Sequence, residues 1–574
     1  MTFDEELFQC SSGTNTLVIF CLTAESSHTG ITQMAEQNVE DNLFQVIKDS
    51  NKCEAFKLVR TQRNFSCIKD GYNLLHYAAL HGFSDFITAI YFYSDFTNLL
   101  GAVVDNEEDE YNKCTALDIA NKRGNPKTVK RICDFSDSDR SLSELHRKVR
   151  IADIESVTEM LSSENDFDVN VTCNYGNTPL YMACAAGYLD LVELLVSNGA
   201  DINKSNLKGF SPIHVASMMG HISVVEYLIE KNAFLGESEE CNFTPLHPAA
   251  DYGNAEIAEI LIKNGANIDA ASKSKSQCTA LHYAAGNGHS DVVEVLLKHG
   301  GDANVGNRQL SKALHYAVGY GHLETARKII EFGAYVRAVN ENERSALHLA
   351  SEKGFFDLVK LLLENGAEVN GADQRGRTSL DLAATKGHAD VVDILLEHKA
   401  CVNIKDENDM TPLSRASENG HLSVVERLIS EGGDVNPVCH LWCRPIHFAA
   451  WAGHSKVIDL LIRHGAQVDV KNLAKSTPLS CAALYGHEEC VLKLIEHGAK
   501  VDSVDGEKHT PLYYAAYSGH LAVVRLLVEK GANVNGASSW TEYSPTGIAL
   551  ENGHEEVVQY LQQKGGDKHN CRIQ

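Results

Sequence analysis

Between Asp373 and Asn403 the apolar residues fall into two short groups, each with helical spacing, separated by a polar turn. Leu380, Leu382 and Ala383 make the first group; Val391, Val392, Leu395 and Leu396 make an i, i+4 stripe in the second. The pattern predicts a helix opening at Thr378, whose hydroxyl is placed to cap free backbone N–H groups, then a turn at Lys386-Gly387-His388, then a second helix. Elsewhere a Gly-Ala pair closes the second helix, as at Gly199-Ala200, Gly366-Ala367, Gly465-Ala466 and Gly531-Ala532, because glycine accepts the left-handed residue that follows many helices. Here Lys399-Ala400 stands in that place. The chain then extends through segments such as Val402-Asn403 to a hairpin tip of the kind spelled by Asp373-Gln374-Arg375-Gly376.

The same arrangement returns along the chain. Thr178-Pro179-Leu180-Tyr181 is followed by Ser211-Pro212-Ile213-His214, Thr244-Pro245-Leu246-His247, Thr279-Ala280-Leu281-His282, Lys312-Ala313-Leu314-His315 and Ser345-Ala346-Leu347-His348. It continues through Thr378, Thr411, Arg444, Thr477 and Thr510 to a worn copy at Ser544-Pro545-Thr546-Gly547, at a spacing of 33 residues, once 35 and once one residue late. This period, with a T-P-L-H-x-A pattern, resembles the ankyrin repeat. The resemblance covers residues 67 to 565 and is strong from 173 onward; it implies an all-α solenoid of helix-turn-helix units with β-hairpin loops, arranged as a curved superhelical array. It also implies that the tetrad histidines His247, His282, His315, His348 and His447 bond within and between units rather than catalyse.

The amino-terminal third is less regular. Asn73-Leu74-Leu75-His76 and Thr115-Ala116-Leu117-Asp118 match the tetrad 42 residues apart, with the acidic run Asp105 to Glu110 between them, and Ser143-Glu144-Leu145-His146 is a further degenerate copy. Fifteen units are expected, three of them divergent. The expected division is a poorly structured segment at 1–38, a helical cap at 39–66, divergent repeats at 67–172, the regular array at 173–565 and a tail at 566–574. The apolar run Leu17 to Leu22 is short and follows Asp4, Glu5 and Glu6, which fits neither a signal peptide nor a membrane span. Met34, just before a helix-like stretch from Val39 to Ile47, is a candidate start beside Met1.

At 574 residues one globular core would be too large, a limit that a solenoid escapes because each unit packs only on its neighbours. Net charge is -26, from 51 Lys and Arg against 77 Asp and Glu, which repels phosphate backbones, so no nucleic-acid partner is expected. Sixteen cysteines without a framework spacing read as reduced thiols of the cytoplasm or nucleus. The sequons at Asn64, Asn170, Asn203 and Asn242 then carry no weight. No nucleotide-binding, zinc-protease or nucleophile-elbow motif stands out; Gly286-Asn287-Gly288 and Gly319-Tyr320-Gly321 fall at inter-helix turns. Cys439-His440-Leu441-Trp442-Cys443 has ligand types that suit zinc but no second ligand pair at zinc-finger spacing, and reads as contact surface at a tip. The chain is therefore read as a monomer without cofactor, metal or catalytic centre.

Positions the repeat leaves free are those a partner can select: the tip before the tetrad and the residues ahead of the glycine after it. In ankyrin-repeat proteins these line the concave groove. A middle zone there is charged, with Glu341, Glu343, Arg344, Glu352, Lys353, Arg375, Arg377, Lys386, Glu407, Asp409 and Glu418. The next zone holds Trp442, Trp451, Tyr485, His509, Tyr517, Trp540 and Tyr543, including all three tryptophans of the chain, and is the expected partner-binding patch. Arg344, Glu352, Arg375, Arg377 and Lys386 form a secondary charged face. Cys571-Arg572-Ile573-Gln574 resembles a prenylation box, which makes peripheral membrane association conditional on lipidation of Cys571. The resemblance further implies that hairpin asparagines such as Asn203, Asn370, Asn403, Asn436 and Asn535 are substrates of an asparaginyl hydroxylase, Asn370 first among them.

The family implies binding of one or more proteins without naming one. The expected function is a non-catalytic scaffold or adaptor. The alternative is a regulatory or substrate-receptor subunit of a phosphatase or ubiquitin-ligase complex; no kinase, death, SOCS-box or F-box-like segment flanks the array.

Overall fold

The computed structural model describes residues 142–162, 168–238, 243–272, 274–439, 441–536 and 544–566. The expected segments at 1–38 and 39–66, most of 67–172, the tail from 567, and the candidates Trp540, Tyr543 and Cys571 lie outside the described residues. So does His440. The described chain is built of helices in pairs, from Glu144–Arg150 with Ile154–Ser162 to Pro545–Glu551 with Glu555–Gln563. The chain divides into two compact units, Met1–Asp302 and Ala303–Gln574. Among the described residues no helix is long and apolar enough to cross a membrane.

One pair shows why the sequence folds this way. Thr378 has extended backbone and its hydroxyl accepts the N–H of Asp381, capping the helix Ser379–Lys386. Leu380, Leu382 and Ala383 are buried against neighbouring pairs, and the stripe of Val391, Val392, Leu395 and Leu396 on Ala389–Glu397 is buried with them. Gly387 closes the first helix in the left-handed region, at φ 80°. Lys399 closes the second in the same region, at φ 64°, where a side chain costs about 1 kcal/mol and glycine costs less. Lys399→Gly is expected to stabilise the array by about that amount, as read by hydrogen exchange over residues 389–410.

Within the second unit, pairs reach their successors through tips. The tip N–H groups of Glu341, Gln374, Glu407 and Leu473 donate to Gln309, Asn342, Arg375 and Leu441 of the preceding tips, at 2.8–3.0 Å. The expected β-hairpins are reduced to isolated bridges among the described residues: Ala271 with Thr279, Val339 with Ser345, and Ala372 with Thr378. The residue two before the tetrad is left-handed in unit after unit, whether Gly209, Gly376, Leu310, Glu343, Asp409, Trp442 or Lys508. Tip geometry, not residue preference, sets that conformation.

Histidines join the units in both directions. The backbone N–H of Thr279 donates to His282 Nδ1 at 3.1 Å. The corresponding ring Nε2 of His214, His315 and His348 donates forward to the carbonyls of Phe243, Arg344 and Arg377 at 3.0–3.2 Å. Burial pushes His214, His247 and His447 down to about 4, so they stay neutral with the proton on Nε2. The degenerate copy at Ser143 folds alike, with His146 Nε2 at 3.0 Å from the Asn177 carbonyl.

A second set, in the inter-helix turn, points back. His388, His421, His454, His487 and His520 place Nε2 at 3.0–3.1 Å from the carbonyls of Glu352, Thr385, Glu418, Trp451 and Leu484. Each ring lies where the preceding unit's turn glycine would carry a Cβ. At Gly387 that Cβ would come 2.5 Å from His421 Nδ1, whereas at Gly366, φ 79°, nothing lies within 4 Å. Gly366→Ala should therefore cost about 1 kcal/mol from the backbone alone, and Gly387→Ala should cost more. Equal losses in thermal unfolding would rule out the histidine contact as the reason for glycine.

Candidate functional site

The helix Pro445–Ala452 opens beside the tip that carries Leu441 and Trp442, and its seventh residue is Trp451. Pro478–Tyr485 ends on Tyr485 and Pro511–Tyr517 ends on Tyr517. Gly453 and Gly486 end the first two helices and Ser518 the third, so the rings stand at the rim where the two helices of a pair meet. Trp442 is 60% exposed, Trp451 43%, Tyr485 46% and Tyr517 48%. Trp451 and Tyr485 meet across neighbouring units with centroids 5.8 Å apart, and Tyr485 stacks on His487 at 6.4 Å. The backward bond from His487 to the Trp451 carbonyl fixes that pair from the backbone side. Trp442 holds its exposed ring at φ 57°, a conformation costly for a bulky residue.

His509 departs from the expectation of a free contact residue. It is half-buried and stacked on Tyr513 at 3.9 Å, so much of its ring is spent inside the fold. The cysteines beside Trp442 depart as well. Cys439 and Cys443 are buried with Met410 and Phe448, and burial pushes the Cys443 thiol up to about 11. Among the described residues of that motif Leu441 and Trp442 are exposed, and the Cys439 N–H donates to the Cys443 carbonyl across the tip at 3.1 Å.

The charged face is largely bonded within itself. Arg344 pairs with Glu352 at 2.5 Å, Arg377 with Asp373 at 2.7 Å and Arg415 with Asp406 at 2.5 Å. Arg375 and Lys386 are exposed. Asp381 occupies the tetrad slot that holds histidine in other units, is buried, and has neither carboxylate oxygen hydrogen-bonded. Burial pushes it up to about 7, with Arg415 and Arg377 opposing the shift and Asp406 and Asp373 adding to it. Sequence reading missed this group, although the exchange of histidine for aspartate within the tetrad was its visible signal. Asn370 accepts the Cys401 N–H at 2.8 Å and donates to the Lys399 carbonyl at 3.5 Å, so its amide links adjacent units.

The family model described as ankyrin repeats (three copies) matches residues 145–239, 232–309, 314–406, 369–439, 413–505, 446–538 and 479–572. The chain belongs to the ankyrin-repeat family. Among solved structures, the crystal structure of the human ASB11 ankyrin repeat domain is similar at 28% identity, over 39% of this chain and 99% of that one, with a TM-score of 0.37. No curated protein matches the chain. Ankyrin repeats are protein-interaction modules, so the exposed rim of this array is the place to look for a protein partner.

Proposed function

We propose that this ankyrin-repeat chain is a non-catalytic adaptor that binds a protein partner through the rim aromatics of its second compact unit. The observation that carries the reading is the exposure of Trp442, Trp451, Tyr485 and Tyr517 at tip and turn slots of successive pairs. Equivalent slots hold Glu352, Lys386 and Glu418, so helix packing makes no demand for a ring there. Tryptophan and tyrosine bury large area at small entropic cost, and such anchors dominate many interfaces. Arg375 and Lys386 then act on encounter rather than on lifetime.

Affinity capture followed by mass spectrometry identifies the partner, and the variants test the face. Trp451→Ala and Tyr485→Ala should each weaken the interaction by about 2 kcal/mol, while Arg375→Ala changes mainly its rate and salt dependence. Abolition of binding by Arg375→Ala, with the aromatic variants intact, would move the site to the charged zone. Trp442→Gly carries a sharper signature because its two effects have opposite signs. The fold should gain about 1 kcal/mol from removing a left-handed tryptophan, and partner affinity should fall.

A further inference from the structure

The last described pairs of the second unit set carboxylates beside aromatic rings. His509 and Tyr513 stack with planes 10° from parallel, and Tyr514 meets both rings nearly edge-on. The Tyr514 hydroxyl donates to one oxygen of Asp505, and the other oxygen accepts the N–H groups of Glu507 and His509 at 2.8 Å each. Asp505 is thereby buried and satisfied, and it holds the stack in place.

Two more carboxylates act on these rings from outside. The helix Pro545–Glu551 packs on Pro511–Tyr517, and Asn552, directly after Glu551, donates its side-chain amide to the Tyr517 carbonyl at 3.1 Å. The Tyr513 hydroxyl is pushed up to about 12 by burial first, with Glu507 and Glu551 adding to the shift. The Glu507 side chain is 82% exposed, and its ionic neighbour among the described residues is the His509 ring at 3.6 Å. Glu551 is exposed at the end of Pro545–Glu551, with no ion pair among the described residues. The contrast with the charged zone is direct. There Arg344, Arg377 and Arg415 already hold acids at 2.5–2.7 Å. A partner's cation at the far end would meet Glu551, which has no ion pair among the described residues, and Glu507, whose ionic neighbour is a histidine, beside the exposed Tyr517.

We propose that this face takes a protein segment bearing an arginine or lysine, with the cation over the Tyr517 or Tyr513 ring and against Glu507 and Glu551. A ring quadrupole attracts a cation, and a carboxylate alongside strengthens the attraction as water is displaced. The inference rests on the protein-binding reading and adds the charge of what is bound.

The test is selection of a phage-displayed random peptide library on the full chain, followed by affinity measurement of the enriched peptides as synthetic probes. The expected result is enrichment of peptides with arginine or lysine that bind the Glu507→Gln/Glu551→Gln double variant, and Tyr517→Ala, about tenfold more weakly, which matches a cation–π contact plus its counter-charge. Both glutamates are exposed, so the melting temperature of the double variant should equal that of the wild type. Enrichment of neutral or acidic peptides would overturn the cationic assignment and leave the protein-binding reading standing. Basic peptides that bind the double variant unchanged would overturn it too, as would a selection with no enrichment.

Discussion

Asp381→Asn should make the array more stable at pH 8 and leave it nearly unchanged at pH 4. The carboxyl is 3% exposed, neither oxygen has a hydrogen bond, and its folded value is raised from 3.8 to about 7. A carboxyl with a raised folded value keeps its proton in the native state over a range where the unfolded chain has lost it. The folded form then binds more protons, and stability falls as pH rises from about 4 to about 7. A shift of about three units corresponds to roughly 4 kcal/mol, an upper figure for this site because Arg415 and Arg377 lie nearby. The groups facing Asp381 are Arg377 and Asp373 from its own unit and Arg415 and Asp406 from the next. The arginines are paired with those acids and offset the effect of burial only in part. Thermal unfolding of wild type and variant across this range decides the matter: a difference that stays constant with pH would show that Asp381 is not protonated in the fold. Asp381→His supplies a second arm, because a histidine in this slot is placed to make the equivalent, one unit on, of the forward bond that His348 makes to the Arg377 carbonyl.

Leu380→Ala should cost about 2–5 kcal/mol, as large-to-small changes in packed cores do. The side chain is 1% exposed, on a helix that packs against both Ala346–Lys353 and Pro412–Glu418. In a stacked array each pair draws its stability from the pairs beside it, so the loss should appear first in these neighbours. Hydrogen exchange resolved by peptide reads this directly. Protection should fall around residues 346–430 and hold in pairs further along, such as Leu521–Glu529. A uniform rise in exchange over the second unit would mean that it unfolds as one cooperative body.

Much of the fold was legible because each unit repeats a local physical rule. A threonine that caps, a glycine in a left-handed turn and an i, i+4 apolar stripe are properties of adjacent residues, and their recurrence at 33 residues spells out helix pairs even where Ser143-Glu144-Leu145-His146 has drifted. The free slots were legible by the same logic, and the exposed rings of Trp451, Tyr485 and Tyr517 stand in them. Tertiary structure alone decided how those slots are used. Whether Arg344 and Arg377 offer free charge, whether Cys439 and Cys443 face inward, whether His509 is spent on Tyr513, and whether Asp381 finds a partner all depend on where neighbouring chain is placed. The same holds for the backward histidine bonds, whose acceptors lie 36 residues away for His388 and His421. A repeat's sequence specifies its own caps and stripes, but the distance between two side chains in different units is set by the stacking of helices and the ladder of tips. That distance is what brings each backward histidine to its acceptor and leaves Asp381 unbonded beside Arg415 and Asp406 of the next unit.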